Sequence, residues 1–416
     1  MVKIVFFRGF CIDFENHRFI IKVDNQLIYN YMKIGIDAQT ILNPEKGDAA
    51  GIGHYTYQLI KHLLEIDQEN EYFLYFNYRV RDKDIKKFSQ SNVKIRRFPF
   101  SQYKRYLPLA YSETLASAFF LRDKLDVLHV PGGRAPLTYK RKLTVTAHNL
   151  GIKKFPDLFS KKQQIKFKVK PAAFKRADAV IASSQAAKND LKEDFEISDE
   201  KIKVIYNAFD KKFFADATID EIQNAKDKYK IDGEYILFMN TIKPLNNLTR
   251  LIEAFLKLRL ILKGKKPNSN YKLVLAGKNG WLADEIHQIA RDFGLKNEVI
   301  FPGYIDPEDL NALFAGADVF VSIPIYEEFG APVLEAMASG VPVVCSNVPS
   351  LREITGGVAE LVDPFDIKGI KDAILKVLDN DRLRRELRER GPEQARKFHW
   401  EKTAEETLKV FEEVVG

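Results

Sequence analysis

Short apolar runs alternate along this chain with stretches whose apolar residues return every three or four positions. Lys33–Asp37 is the first run, and Ile52, Leu59, Ile60, Leu63 and Leu64 then fall on one helical face. The two patterns match a strand and a helix, so the segment reads as strand, loop, helix. Strand-like runs recur at Glu71–Phe76, Val93–Arg97, Val127–Val130, Leu143–Ala147, Ala179–Ser183 and Ile202–Tyr206, most of them separated by helical segments. The alternation restarts at Tyr235–Met239 and continues through Tyr271–Ala276, Val299–Phe301, Val319–Ser322, Val341–Cys345 and Ala359–Val362. Such alternation predicts the α/β class, with two parallel-sheet domains in tandem.

The domain limits follow from where the alternation starts and pauses. Residues 1–31 precede the first strand and carry no helical period, so they read as an N-terminal extension. Within it, Arg18–Val23 and Gln26–Tyr31 are placed to pair as a hairpin about Asp24-Asn25, and Met32 is itself a candidate initiator. The first domain spans 32–210, a polar linker with a short helix spans 211–233, and the second domain spans 234–399. After Asp379 the pattern is helical and charged to Phe398. Trp400–Val415 then forms a last amphipathic helix, and residues 400–416 are free to pack back on the first domain.

With 45% hydrophobic and 29% charged residues over 416 positions, the chain is far from disordered, collagenous or coiled-coil compositions. The longest apolar candidate, Tyr106–Leu121, is broken by Pro108, Ser112, Glu113 and Thr114, short of a membrane span. Two cysteines, Cys11 and Cys345, make no disulfide framework, and Arg8 interrupts the apolar start where a secretion signal would lie. A reducing cytoplasm is the expected setting. The net charge of +8 invites a nucleic-acid reading, yet between Lys153 and Arg176 nine basic residues face one acid, Asp157, so this stretch alone carries the excess. No nucleic-acid motif accompanies it. Lys161, Lys162, Lys166 and Lys168 are interleaved there with Phe155, Leu158, Phe159, Phe167 and Phe174, which suits an anionic membrane surface as well as a solvated helix docked on its own sheet.

The stretch richest in chemistry runs from Tyr326 to Gly340, YEEFGAPVLEAMASG. It follows an apolar run and opens a helix. Pro332 suits the first helical position, where its missing N–H costs nothing, and Gly330 lets the backbone come close to a ligand. Free amides at that helix start make an anion site. Glu335 lies on the first turn toward the same cleft and Glu327 on the loop eight residues earlier, so one carboxylate can accept a ribose diol while the other orients a sugar hydroxyl. Acids also occur at ordinary strand-to-helix turns as capping charges. The Gly51-Ile52-Gly53 loop opens a helix in the first domain and offers a second amide-lined site, although such a loop is more often only a turn. His148 follows a strand and so reaches the cleft edge. The seven histidines are scattered, without metal-ligand spacing.

The segment from Glu327 to Glu335 is joined by GIDAQT at 35–40, Gly51-Ile52-Gly53-His54-Tyr55, ASSQAAKNDL at 182–191, LAGKNGW at 275–281, FPGYID at 301–306 and ADVFVS at 317–322. Together these resemble the family-four retaining glycosyltransferases, over nearly everything from Met32 onward. The resemblance implies the GT-B fold: two Rossmann-like domains facing across a cleft, the first on the acceptor side and the second holding the nucleotide-sugar. Mannosyltransferases of bacterial surface polysaccharides are the branch it most resembles. It implies transfer of a hexose, best matched by mannose from GDP-mannose, to a glycan or lipid-linked acceptor with retention, in the cytoplasm or at the inner face of the membrane. The nucleotide-sugar is a substrate, and no cofactor or metal is implied. By position the resemblance assigns Glu335 to the donor ribose and Glu327 to the donor sugar. It assigns the backbone of Phe329, Gly330, Ala331 and Pro332 to sugar and diphosphate, and Gly51 and Gly53 to the diphosphate from the other domain. His148 matches the histidine of a family His-Asp pair that here reads His148-Asn149.

One loop departs from the family. After the second domain's first strand the family reads Gly…Pro-Arg-Lys-Asn before a helix of the LIEAF type, and its Arg and Lys neutralise the donor diphosphate. Here FMNTIKPLNNLTRLIEAF aligns without gaps, with Asn240 in place of the glycine and Leu245 and Asn246 in place of the basic pair. Those cations would stabilise charge building on the leaving diphosphate. Lys243, two positions before the missing Arg, is the nearest substitute. Two readings follow: an active retaining hexosyltransferase, or a catalytically impaired homologue that binds a nucleotide or glycan, or supports an active partner.

Overall fold

The computed structural model describes residues 4–7, 10–13, 18–23, 26–28, 31–42, 51–98, 109–136, 138–265 and 270–416, the first four segments and residues 109–113 by backbone alone. Seven parallel strands form one sheet in the order Ile202–Val204, Ala179–Ala182, Leu143–Thr146, Val127–Val130, Lys33–Asp37, Glu71–Asn77, Val93–Phe98. Six parallel strands form another in the order Val299–Gly303, Lys272–Ala276, Tyr235–Met239, Val319–Ser322, Val343–Ser346, Glu360–Val362. Each run expected from the sequence is a strand, its ends shifted by no more than about two residues, the usual uncertainty of element boundaries. The runs are continuously apolar because helices cover both faces of each sheet: Leu143–Thr146 and Tyr235–Met239 are buried at every position.

In both sheets the chain order reverses between two neighbours. Lys33–Asp37 lies beside Val127–Val130, and Tyr235–Met239 beside Val319–Ser322. At such a point the loops that leave the two strands part in opposite directions and open a crevice at the carboxyl ends. In chain order, the helix starts at Gly51 and Gly330 follow the strands Lys33–Asp37 and Val319–Ser322 at these points.

Outside the two sheets, Arg18–Val23 pairs antiparallel with Gln26–Ile28, so the expected hairpin forms with a shorter second strand; its turn at Asp24-Asn25 lies outside the described residues. Ile4–Phe7 and Phe10–Asp13, for which the pattern gave no signal, complete a four-stranded antiparallel sheet. Segment 211–233 carries the expected short helix and is packed on the second domain. Thr218 and Glu221 cap each other's backbone at the start of the helix Ile219–Lys228, and Phe213, Ala225 and Ile231 join the second domain's core. The last helix, Trp400–Val415, returns to the first domain, where Trp400, Ala404 and Phe411 pack with Ile60, Leu63 and Phe76. The chain therefore crosses between the domains near Asp210 and again near His399.

Candidate active site

Two glycines shape the two halves of the cleft. Gly51 holds φ 66° and ψ −137° before the helix Ile52–Ile66, Gly330 holds φ 97° before the helix Ala331–Ala338, and no side chain caps either start. A positive φ strains residues that carry a Cβ, and at Gly330 a Cβ would also lie 2.3 Å from Leu351 Cδ2. Uncapped amides at a helix start attract anions. Pro332 is the second helical residue, not the first as the sequence suggests, because the helix opens at Ala331; its missing N–H still falls among those without an intrahelical partner. Phe329 turns its ring into the second core against Phe398, 5.8 Å between ring centres, and leaves only its backbone for the cleft.

One turn into that helix, Glu335 is half-buried. Burial pushes its carboxyl up to about 7; Lys212 opposes the shift and Asp210 adds to it. The same Asp210 and Lys212 act on His54, beside Gly53, whose pKa burial lowers. The glycine loop of the first domain and the carboxylate helix of the second thus converge where the chain crosses between them. His54, Asp210 and Lys212 carried no sequence signal beyond their position next to the glycine loop and the domain boundary.

Glu327 stays on its own loop. Its Oε1 accepts from the Glu328 N–H at 3.1 Å, and its carbonyl accepts from Ser350 Oγ at 2.6 Å. Glu328, to which the sequence gave no role, joins the two domains. Its Oε1 accepts from the Leu150 N–H at 2.5 Å, and its carbonyl accepts from Ser184 Oγ at 2.7 Å. Burial lifts the Glu328 carboxyl to about 7, against the Asn149 and Leu150 N–H groups, which favour the anion. Two more residues add contacts to the first domain. Tyr326 donates from its hydroxyl to Asp190 Oδ2 at 2.7 Å, and Glu353 accepts from the Gln185 N–H at 2.8 Å and the Tyr206 hydroxyl at 2.7 Å.

His148 lies beside this junction. It is 8% exposed, packs edge-on to Tyr55 at 5.1 Å, and its Nε2 has no hydrogen-bond partner among the described residues. Burial pushes its pKa down to about 3, with Lys170 and His129 adding to the effect. The imidazole is therefore neutral, and its unpartnered Nε2 is enclosed by the protein. Lys170, also buried, donates to the His148 carbonyl at 3.0 Å; burial brings its pKa down to about 8 while Glu328 opposes.

The departing loop is occupied structurally. Leu245, 6% exposed, belongs to the second domain yet joins the first domain's core with Leu150 and Ile152, and its carbonyl accepts from the Ile325 N–H at 3.0 Å. Asn246 is 2% exposed and donates from Nδ2 to the Thr241 carbonyl at 2.6 Å. Asn240 Oδ1 accepts from the Thr241 N–H at 2.7 Å, and its carbonyl lies 1.9 Å from where a Cβ on Gly277 would stand. Lys243 is half-exposed, and no hydrogen bond or ion pair joins its ammonium to Glu327, Glu335 or His148.

In the basic stretch, Lys161, Lys162, Lys166 and Lys168 are exposed, with no carboxylate partner among the described residues. Phe159, Phe167 and Phe174 are buried in the first domain's core, and Phe155 and Leu158 are half-buried, so these aromatics dock the segment on its own domain. Ile165, 65% exposed, is the large apolar residue left outside. No helix among the described residues is long and apolar enough to cross a membrane.

Residues 49–213 match the family described as Glycosyltransferase Family 4, and residues 220–394 match the one described as Glycosyl transferases group 1. O-antigen chain mannosyltransferase B of Escherichia coli is 29% identical over 378 residues, which cover 88% of this chain and 97% of that protein. The serotype-specific mannosyltransferase WbdA of Escherichia coli is 34% identical over 245 residues, 58% of this chain but 29% of WbdA. Anabaena HepE, solved in complex with UDP and glucose, shares the fold with a TM-score of 0.69 and 19% identity over 92% of this chain and 100% of that one. With both Rossmann-like domains matched in order, the chain belongs to the family-four glycosyltransferases of the GT-B fold.

Proposed function

We propose that the protein transfers a hexose from a nucleotide-sugar to a glycan or lipid-linked acceptor with retention, and that mannose from GDP-mannose is the donor. The observation that carries this reading is the convergence of Glu335 and the Gly51–His54 loop on Asp210 and Lys212, between two uncapped helix starts. Such a place suits a diphosphate approached by amides from both sides, with its ribose diol on Glu335. The mannosyltransferases among the relatives support the sugar, and the UDP and glucose held by HepE support a nucleotide-sugar cleft. In this reading neutral His148 hydrogen-bonds a hydroxyl of the transferred sugar, and Glu327 orients another. The acceptor oxygen bonds to the anomeric carbon as the bond to the diphosphate breaks. In this reading the leaving phosphate oxygen takes the acceptor's proton on the same face, and no protein base is needed. The exposed lysines 161, 162, 166 and 168 hold the enzyme at the cytoplasmic membrane face, where a lipid-linked acceptor resides, each contributing about 1 kcal/mol on an anionic surface.

Turnover measured against a panel of nucleotide-sugars tests the assignment. GDP-mannose is expected to react fastest, and preference for another donor would overturn the choice of sugar. The second reading, an impaired homologue, is favoured by Leu245, which is buried in a domain contact instead of presenting a cation. On that reading wild-type transfer is slow, and Leu245→Arg with Asn246→Lys raises it roughly 10²-fold or more, the scale of one preorganised charge-stabilising group. Wild-type turnover near the enzymatic median of about 10 s⁻¹ would show that another group stabilises the leaving diphosphate.

A further inference from the structure

Between the strand Val319–Ser322 and the helix Ala331–Ala338, three neighbouring residues divide their contacts between the domains. Glu327 stays with the second domain. Ser350 Oγ donates to its carbonyl at 2.6 Å, and a Cβ on Gly330 would stand 3.6 Å from its Cγ, so the side chain runs beside the start of the helix. Neither contact fixes the direction of the carboxylate. That comes from the Glu328 N–H, which donates to Glu327 Oε1 at 3.1 Å. Residues 326 and 328, on either side, reach into the first domain.

Glu328 is held at both ends. Its Oε1 accepts from the Leu150 N–H at 2.5 Å, and its carbonyl accepts from Ser184 Oγ at 2.7 Å and from Ser183 Oγ at 3.4 Å. Leu150 and Ser184 stand just beyond the strands Leu143–Thr146 and Ala179–Ala182, so one residue of the second domain is pinned to two strand ends of the first. Tyr326 crosses over as well. Its hydroxyl donates to Asp190 Oδ2 at 2.7 Å, and Asp190 is itself paired with Lys154. Anchored at its hydroxyl, the ring lies on the backbone of Gly151, where a Cβ would come within 2.5 Å of Tyr326 Cδ1 and 2.9 Å of Cε1. A group that orients a reacting sugar has to be held to within about 0.5 Å by the hydrogen bonds behind it. For Glu327 that support runs through Glu328 to the first domain, and it exists only while the domains are in contact.

Resting on the reading of Glu327 as the group that orients the transferred sugar, we propose that Glu328 is its positioning residue: gripped by the Leu150 N–H and Ser184 Oγ of the first domain, it aims the Glu327 carboxylate once the two domains have met. Glu328 acts through Glu327 and touches no reacting atom. What its side chain supplies is an accepting oxygen at the right reach, rather than a charge.

The test uses the full chain, with GDP-mannose turnover read beside calorimetric GDP affinity. Glu328→Ala should lower kcat roughly 10²-fold, the scale of a 1 Å misplacement, and leave GDP affinity unchanged, because Glu335 and the helix start are untouched. Glu328→Gln keeps an accepting oxygen at the same reach and should recover most of the loss. Glu328→Asp keeps the charge but is one methylene short, and should stay as low as Glu328→Ala. Gly151→Ala sets a methyl against the Tyr326 ring from the other domain and should lower kcat at least about tenfold. In a Tyr326→Ala background, where the ring is gone, the same change should cost nothing further, the non-additivity expected of residues in contact. Turnover of Glu328→Ala equal to wild type would overturn the proposal. So would recovery by Glu328→Asp but not Glu328→Gln, since charge would then be what counts, or a GDP affinity that falls together with kcat, the mark of a cleft disturbed as a whole. A Gly151→Ala loss of the same size with and without Tyr326 would overturn it too, because the first domain would not be acting through this loop. Full turnover in Glu327→Ala would instead remove the reading of Glu327 on which the proposal rests, and a wild type that turns over no nucleotide-sugar would remove the proposed function itself.

Discussion

Glu335 sits where its charge is disfavoured. Its folded pKa, about 7, lies above the ordinary 4.5, so the folded chain holds the proton more tightly than the unfolded one. The resulting penalty is absent below about pH 4.5, grows as pH rises, and is complete above about pH 7. Glu335→Gln should therefore raise the melting temperature at pH 7.5 and flatten the fall in stability between pH 4.5 and 7. On a partly solvated group the gain is on the order of 1 kcal/mol. Thermal unfolding of the variant across this range checks the sign, and a Glu335→Gln protein less stable than wild type at pH 7.5 would contradict it. A stabilising change that weakens function marks a residue kept for its ligand. Glu335, Glu327 and Gly330 were legible in the sequence because a strand-to-helix turn carries them within a few positions. Glu328, Lys170 and Lys212 were not, because what gives them meaning lies far along the chain: Glu328 meets Leu150 across 178 positions.

Among the elements, the helices that face each other across the cleft are tied by hydrogen bonds to their backbone. Glu353, on the helix Pro349–Thr355, accepts from the N–H groups of Gln185 and Ala186 at the start of the helix Gln185–Phe195 in the other domain. That helix already has Ser184 as its own cap, so Glu353 holds the domain contact more than the helix. Removing it with Glu353→Ala, together with Tyr326→Phe, should loosen the contact without unfolding either domain. Small-angle scattering should then show a larger radius of gyration than wild type, and an unchanged radius would show that Glu328 and Leu245 suffice. The strands could be read from the sequence because parallel strands covered on both faces are continuous apolar runs. The short helix of segment 211–233 was legible, but its docking on the second domain was not, because the residues that fix it, Phe213, Ala225 and Ile231, are too sparse to form a periodic pattern.

For the whole molecule, charge and closure decide how substrates arrive. The excess positive charge is local, and its aromatic neighbours are committed to the core, so the membrane contact proposed through Lys161, Lys162, Lys166 and Lys168 would be adsorption rather than insertion. Reversing these four to Glu should abolish co-sedimentation with anionic vesicles, and raising salt should do the same to the wild type as screening shortens. Equal binding to neutral and anionic vesicles would refute adsorption by charge. On the proposed reading, donor contacts drawn from both domains also require the cleft to open and close about the crossings near Asp210 and His399.

The central claim is that the nucleotide binds in this cleft through Glu335, and calorimetric titration of GDP tests it most directly. GDP should bind the wild type, bind Glu335→Ala at least about tenfold more weakly, as expected for the loss of a charged hydrogen-bond acceptor, and bind Glu327→Ala with affinity unchanged while turnover falls. Equal affinity for GDP in the wild type and Glu335→Ala would contradict the claim.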